Sequence, residues 1–129
     1  MRLATFLALP RPPFDYRQSD CCRWLDAWVQ ARGHASPMAA IGMAYDSERS
    51  ALRRIREGGG LVALWSKAMG LIGVPEAATP VCGNIGIIAC GTDAGEHEVA
   101  AIYTGERWVA LGQQGLDFSP AQHLRAWGV

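Results

Sequence analysis

The chain has 129 residues, 12 basic and 12 acidic side chains and no formal net charge. That length suits one domain, and a hydrophobic share of 50% supplies a real core, which excludes a disordered tail or linker. A balanced charge excludes the usual footprint of nucleic-acid binding, a basic chain with Lys and Arg gathered on one face.

No apolar run reaches the roughly 18 residues that a membrane-spanning helix needs. The start, Met1-Arg2 followed by Leu3 to Leu9, runs into Pro10-Arg11-Pro12-Pro13 where a secretion signal would carry small residues for cleavage. The expectation is therefore no membrane span and no secretory leader. Four cysteines, Cys21, Cys22, Cys82 and Cys90, are too few for a disulfide scaffold and are read as reduced thiols.

Taken in order, residues 1–18 read as a proline-punctuated, extended segment that packs Leu3, Phe6, Leu7 and Phe14 onto the body. Asp20 is a good N-cap for a helix over Cys21–Arg32, closed by Gly33. At about 100° per residue, Cys21, Trp24, Leu25, Trp28 and Val29 share one face, with Arg23, Asp26 and Gln30 opposite. A short helical piece is expected near Pro37–Met43. Asp46 or Ser47 caps a further helix with Ala51, Leu52 and Ile55 inward, and Gly58-Gly59-Gly60 ends it. Arg49, Arg53, Arg54 and Arg56 form its solvated side. Leu61, Leu64, Trp65 and Ala68 recur at helical spacing up to Met69.

From residue 80 the period changes. Ile85–Cys90, Val99–Tyr103 and Arg107–Leu111 are β-branched or aromatic runs, with Thr104-Gly105-Glu106 as a tight connection between the last two. Pro120–His123 is read as one helical turn before a final strand through Trp127. Helices first and antiparallel strands second predict a single α+β domain over 1–129.

The segment richest in chemistry is Tyr16 to Trp24. A cysteine at the first position of a helix lies beside unpaired N–H groups at the positive end of the peptide dipoles. That place favours the thiolate, the nucleophilic form, and the same N–H groups can hold an oxyanion. The competing reading makes Cys21 and Cys22 small buried hydrophobes. A thiol nucleophile needs a base. His34 lies beyond the far end of the Cys21 helix, and His123 falls in the C-terminal segment. His97 opens the strand Glu98–Tyr103 on the face of Val99, Ala101 and Tyr103, and is the candidate partner.

Tyr16-x-x-x-Asp20-Cys21 at a helix start, with glycine-bounded strands ending in Ile102-Tyr103-Thr104-Gly105, resembles the papain-like NlpC-type cell-wall peptidases. The pattern is closer still to small proteins encoded among bacteriophage and prophage tail genes. These share the aromatic-x-x-x-Asp-Cys start, an arginine-bearing middle helix, a strand start like Gly83-Asn84-Ile85 and an ending like Ala126-Trp127. The likeness runs from about residue 14 onward. It implies a papain-like core with the nucleophile helix packed on a small antiparallel sheet, Cys21 as nucleophile and Tyr16 as a substrate or oxyanion contact. It also puts Val99 where the family strand carries its histidine, with His97 two residues earlier as the substitute.

Two functions follow from the resemblance. One is a tail-tip protein, assembled in the host cytoplasm and carried in the virion tail, that keeps the peptidase fold for contacts with other tail proteins and lacks hydrolytic competence. Trp108 or Trp127 would then serve as interface anchors. The other is an active thiol peptidase that cleaves peptidoglycan peptides during infection. A metal centre gathered from Cys21, Cys22, Cys82, Cys90 and His97 is disfavoured, because no Cys-x-x-Cys pair exists and adjacent helical cysteines point about 100° apart. No cofactor is expected.

Overall fold

The computed structural model describes residues 1–92 and 95–129, with side chains described for all of these except 91, 92, 95 and 96. Five helices precede five strands: α1 Leu3–Ala8, α2 Cys21–Ala31, α3 Pro37–Ala40, α4 Glu48–Glu57, α5 Leu61–Leu71, then β1 Ile85–Thr92, β2 Gly95–Tyr103, β3 Trp108–Gly112, β4 Gly115–Ser119 and β5 His123–Trp127. The strands form one antiparallel sheet in the order β4-β3-β2-β1-β5. This is the α+β arrangement that the change of period predicts.

Local chemistry explains where the helices begin. Asp20 caps α2, and its carboxylate accepts the main-chain N–H of Arg23. Ser47 caps α4 in a reciprocal box with Ser50. Three elements differ from the sequence reading. Residues 3–8 are helical, because Leu3, Phe6 and Leu7 already sit at i, i+3 and i+4 and the Phe6 ring lies 5.1 Å from Trp28 and 5.5 Å from Trp24. Pro120–Gln122 is irregular, not a helical turn, and the unforeseen strand β4 precedes it.

The side-chain period of two divides the sheet into two apolar layers. Ile85, Ile87, Ala100, Ile102, Val109, Leu111 and Trp127 face the helices and join Leu25, Trp28, Val29, Trp65 and Met69 in the main core. Ile88, Ala101, Trp108, Ala110 and Ala126 build a smaller cluster on the opposite, outer face. All five tryptophans are buried. Trp108 and Trp127 are therefore core residues, so neither is available as an exposed anchor.

Two contacts set α2 on the sheet. Trp28 Nε1 donates to the Gly83 carbonyl at 2.8 Å, just ahead of β1. Gly83 holds a φ of +94°, and a Cβ there would meet the Trp28 ring, so a glycine fits both the turn and the approach. The polar side of α2 is not left to solvent either. Asp26 is buried, and its carboxylate accepts from Ser36 Oγ, the Met38 N–H and Gln30 Nε2, which fastens the α2–α3 connection.

Candidate functional site at the first turn of α2

Asp20, at 1% exposure, is the most deeply buried carboxylate among the described residues. Besides the Arg23 N–H, it accepts the Arg23 guanidinium at 3.2 Å and the Tyr45 hydroxyl. Arg23 also donates to the Tyr16 and Tyr45 carbonyls and lies over the Tyr45 ring, 4.3 Å from its centroid. A buried charge is tolerated only when it is paired and hydrogen-bonded, and here one guanidinium and one phenol do both. Burial drives the Tyr45 hydroxyl far above its ordinary range, and its hydrogen bond to Asp20 and the Asp20 charge act in the same direction. Tyr45 therefore stays a donor. This network fixes where α2 starts and where its first side chain points.

That side chain is Cys21. It is half-buried against the main core. The neighbouring Cys22 thiol, with the first-turn N–H groups of Cys21 and Cys22, holds Cys21 below the ordinary thiol range. Burial and the Asp20 charge oppose the shift without reversing it. Cys22 carries the opposite perturbation. Beside the Cys21 thiol and fully buried, it is pushed well above its ordinary value, with the Trp65 indole next to it. The two thiols thus divide into a thiolate-prone Cys21 and an inert, protonated Cys22.

Among the described residues, Asp20, Cys21 and Cys22 are the one group whose donor atoms converge within 4.8 Å. Each Asp20 oxygen is already engaged by Arg23 or Tyr45, so the cluster is a hydrogen-bonded unit and not an open ligand set.

Tyr16 stands beside this turn. Its loop is closed by the Asp15–Ser19 bridge, its ring packs edge-on to Phe14 at 5.1 Å, and Gln113 from the β3–β4 connection lines the same crevice. Burial raises the Tyr16 pKa, followed by the charges of Glu48, Cys21 and Asp20. A crevice of about 650 Å³ opens here, lined by Phe14, Asp15, Tyr16, Asp46, Glu48 and Gln113. Tyr16 lines this crevice, and Cys21 is near enough for its charge to act on the Tyr16 phenol but is not among the lining residues.

It does not bring His97 there. His97 lies directly across from Cys90 in the β1–β2 ladder, and that ladder runs without a register shift to Ile85–Ile102. Its side chain therefore shares the outer face with Val99, Ala101 and Tyr103, whereas Cys21 contacts the inner layer. His97 lines a separate outer cleft with Cys90 and Asp117. The position assigned to the family histidine, Val99, also faces outward. The helix-facing places on β2 belong to Glu98, Ala100 and Ile102. His34 follows the C-terminal end of α2, and His123 opens β5, half-buried with its ring 5.7 Å from Trp108. His97 and His123 lie on the outer face and His34 at the opposite end of α2 from Cys21, so none of the three histidines adjoins the thiol.

Sequence reasoning missed Tyr45, because nothing in its spacing links it to Asp20. Gln113 had one visible signal, as the first polar side chain after the apolar run Trp108–Leu111. No curated protein and no solved structure matches the chain. The profile of the family described as "Domain of unknown function (DUF6950)" matches residues 1–129. The chain therefore belongs to the DUF6950 family.

Proposed function

We propose that this protein is a phage or prophage tail-associated component, placed at the tail tip, that keeps a papain-like NlpC-type fold and uses its cleft for binding rather than hydrolysis. One observation carries the loss of hydrolysis: Cys21 heads its helix with a lowered pKa while every histidine lies elsewhere. A papain-type mechanism needs an imidazole within hydrogen-bond reach of the thiol to move the proton. Here the first turn of α2 offers a thiolate-prone sulfur and main-chain N–H groups. The β2 residues in the main core with Cys21 are Ala100 and Ile102, both apolar and without a base. Tail association rests on the sequence resemblance, together with the α2-on-sheet arrangement that this resemblance implies. The partners are other tail proteins, with peptidoglycan peptides as a ligand of the same crevice.

The test has two arms. Recombinant protein incubated with purified peptidoglycan should release no new amino groups above a Cys21→Ala control. Release that depends on Cys21 would establish the rival reading, an active thiol peptidase. Mass spectrometry of tails purified after induction of the phage or prophage that carries the gene should find the chain in stoichiometric amount. Its absence from intact tails would remove the tail assignment.

A further inference from the structure

Charge is unevenly divided along this neutral chain. Residues 1–72, which hold all five helices, carry ten basic and six acidic side chains. Residues 73–129, which hold the sheet, carry two basic and six acidic ones. The helical half has a surplus of four positive charges, and the strand half an equal surplus of negative ones.

The positive surplus gathers on α4. Arg49, Leu52, Arg53 and Arg56 recur at i, i+3, i+4 and i+7, so they form one stripe, and all four are exposed. Leu52, within the stripe, is 56% exposed. The helix buries Ala51 and packs on α5. Arg54 is held by Glu57 and the Gly42 carbonyl, whereas Arg49, Arg53 and Arg56 enter no salt bridge among the described residues. Like charges three and four residues apart weaken a helix. Proteins break such local rules mainly where a surface has a use.

The strand half carries a patch of the opposite character. β4 is an edge strand of the sheet. Its Asp117 and Phe118 are both exposed, Phe118 by 50%, and Asp117 enters no salt bridge among the described residues. One patch thus sets an exposed apolar side chain among arginines, and the other sets one beside a carboxylate.

We infer that the chain assembles with copies of itself, the α4 stripe of one copy seating on the Asp117–Phe118 edge of the next. Leu52 meets Phe118. Around that contact one guanidinium pairs with the Asp117 carboxylate, and another lies over the Phe118 ring, whose face attracts a cation. A second copy is the occupant because both complementary patches belong to one neutral molecule. A contact that satisfies the surplus of one half also satisfies the deficit of the other. A foreign acidic protein or a polyanion would cover the stripe and leave β4 unmatched. Each copy gives one patch and takes the other, so the contact closes into a pair or a ring or runs on as a filament. The inference does not rest on the proposed function, since neither patch includes a residue of the Cys21 turn, and its failure would leave that reading standing.

The test is sedimentation velocity of the full chain. A mass of two chains or more is expected in about 0.01 M salt, and of one chain in about 1 M salt, where the screening length falls from about 30 Å to about 3 Å. At the concentration where the unaltered protein assembles, Arg53→Glu alone and Asp117→Arg alone should each be monomeric, with unchanged circular dichroism. Their equimolar mixture should assemble again, because each reversed patch then meets its complement. Leu52→Ser should weaken assembly at least fivefold. Arg53→Lys supplies a measurement that disrupts nothing. A carbodiimide, which joins amines to carboxylates, should link position 53 of one copy to Asp117 of another, identified by mixing normal with isotopically labelled chains. A monomer at every concentration that stays in solution would overturn the inference. So would assembly indifferent to salt and to both reversals, a mixture that stays monomeric, or intermolecular links that avoid Asp117.

Discussion

At the scale of single residues, the site is an answer to one buried charge. Asp20 has its lone pairs taken by Arg23 and Tyr45, and each partner is held in turn, the guanidinium by two carbonyls and the phenol by burial. Removing the carboxylate costs the cap, about 1 kcal/mol, and leaves two buried donors unmatched at about 1–3 kcal/mol. Asp20→Ala should therefore lower the urea-unfolding free energy by about 3 kcal/mol. Tyr45 adds a pH signature. Its pKa is raised in the folded state, so the protonated phenol is what the fold prefers. That contribution is complete below the unfolded tyrosine value of about 10 and declines as pH rises above it. Chemical unfolding followed from pH 8 to 11 should show a loss of stability beginning near pH 10, and Tyr45→Phe should flatten that limb. The thiols make a third expectation. Cys21 is held below the ordinary range, while Cys90 is pushed up by burial and then by the Asp117 charge. Iodoacetamide near pH 7 should modify Cys21 well before Cys90, read by peptide mass spectrometry, and Cys22 should resist until the protein unfolds.

At the scale of elements, the sheet carries the helices through close approaches. A Cβ on Gly86, the second residue of β1, would come within 2.7 Å of the Trp108 ring and 3.0 Å of the Arg125 carbonyl on β5. Neither the buried indole nor the β5 main chain can yield cheaply, so Gly86→Ala should cost about 1–3 kcal/mol, the usual range for overpacking. A thermal melt checks this. How far each element was legible depends on what holds it. α2, α4 and α5 carry capping residues or apolar periodicity over two turns or more, and both signals are local. α1 is six residues long with no side-chain cap and is held by Phe6 against Trp24 and Trp28, so tertiary packing creates it. β4 escaped for a related reason. Leu116 and Phe118 are separated by exposed Asp117, and Phe118 is itself 50% exposed. An edge strand of that kind is specified by its partner β3 more than by its own composition.

At the scale of the whole molecule, the deciding fact is which face of the sheet each β2 residue occupies. A one-residue change of alternation exchanges every inward side chain for an outward one. His97 and Val99 face away from the helices, and Glu98 and Ala100 face toward them. His97→Ala should accordingly leave the rate of Cys21 alkylation and its pH dependence unchanged within twofold, and should alter stability by less than about 0.5 kcal/mol, as befits an exposed side chain. A marked slowing of Cys21 alkylation would restore the Cys21–His97 dyad.

The sequence by itself determined the class of fold, the place of Cys21 at a capped helix start and the seam of tryptophans that became core, because caps, apolar period and turn residues act over a few neighbours. It also set Tyr16 close to Cys21, four residues ahead of the Asp20 cap. What only the tertiary structure decided was the company these residues keep. Asp20 meets Tyr45 and Tyr16 meets Gln113 through chain closures that no local period encodes, and the polar side of α2 is consumed by Arg23 and Asp26 contacts instead of facing water. The end of the β2–β3 ladder at Ile102–Val109 belongs to the same class. Whether two strands stay paired beyond their hairpin depends on the curvature of the sheet and on the layers packed against its two faces, and neither can be read from a single strand.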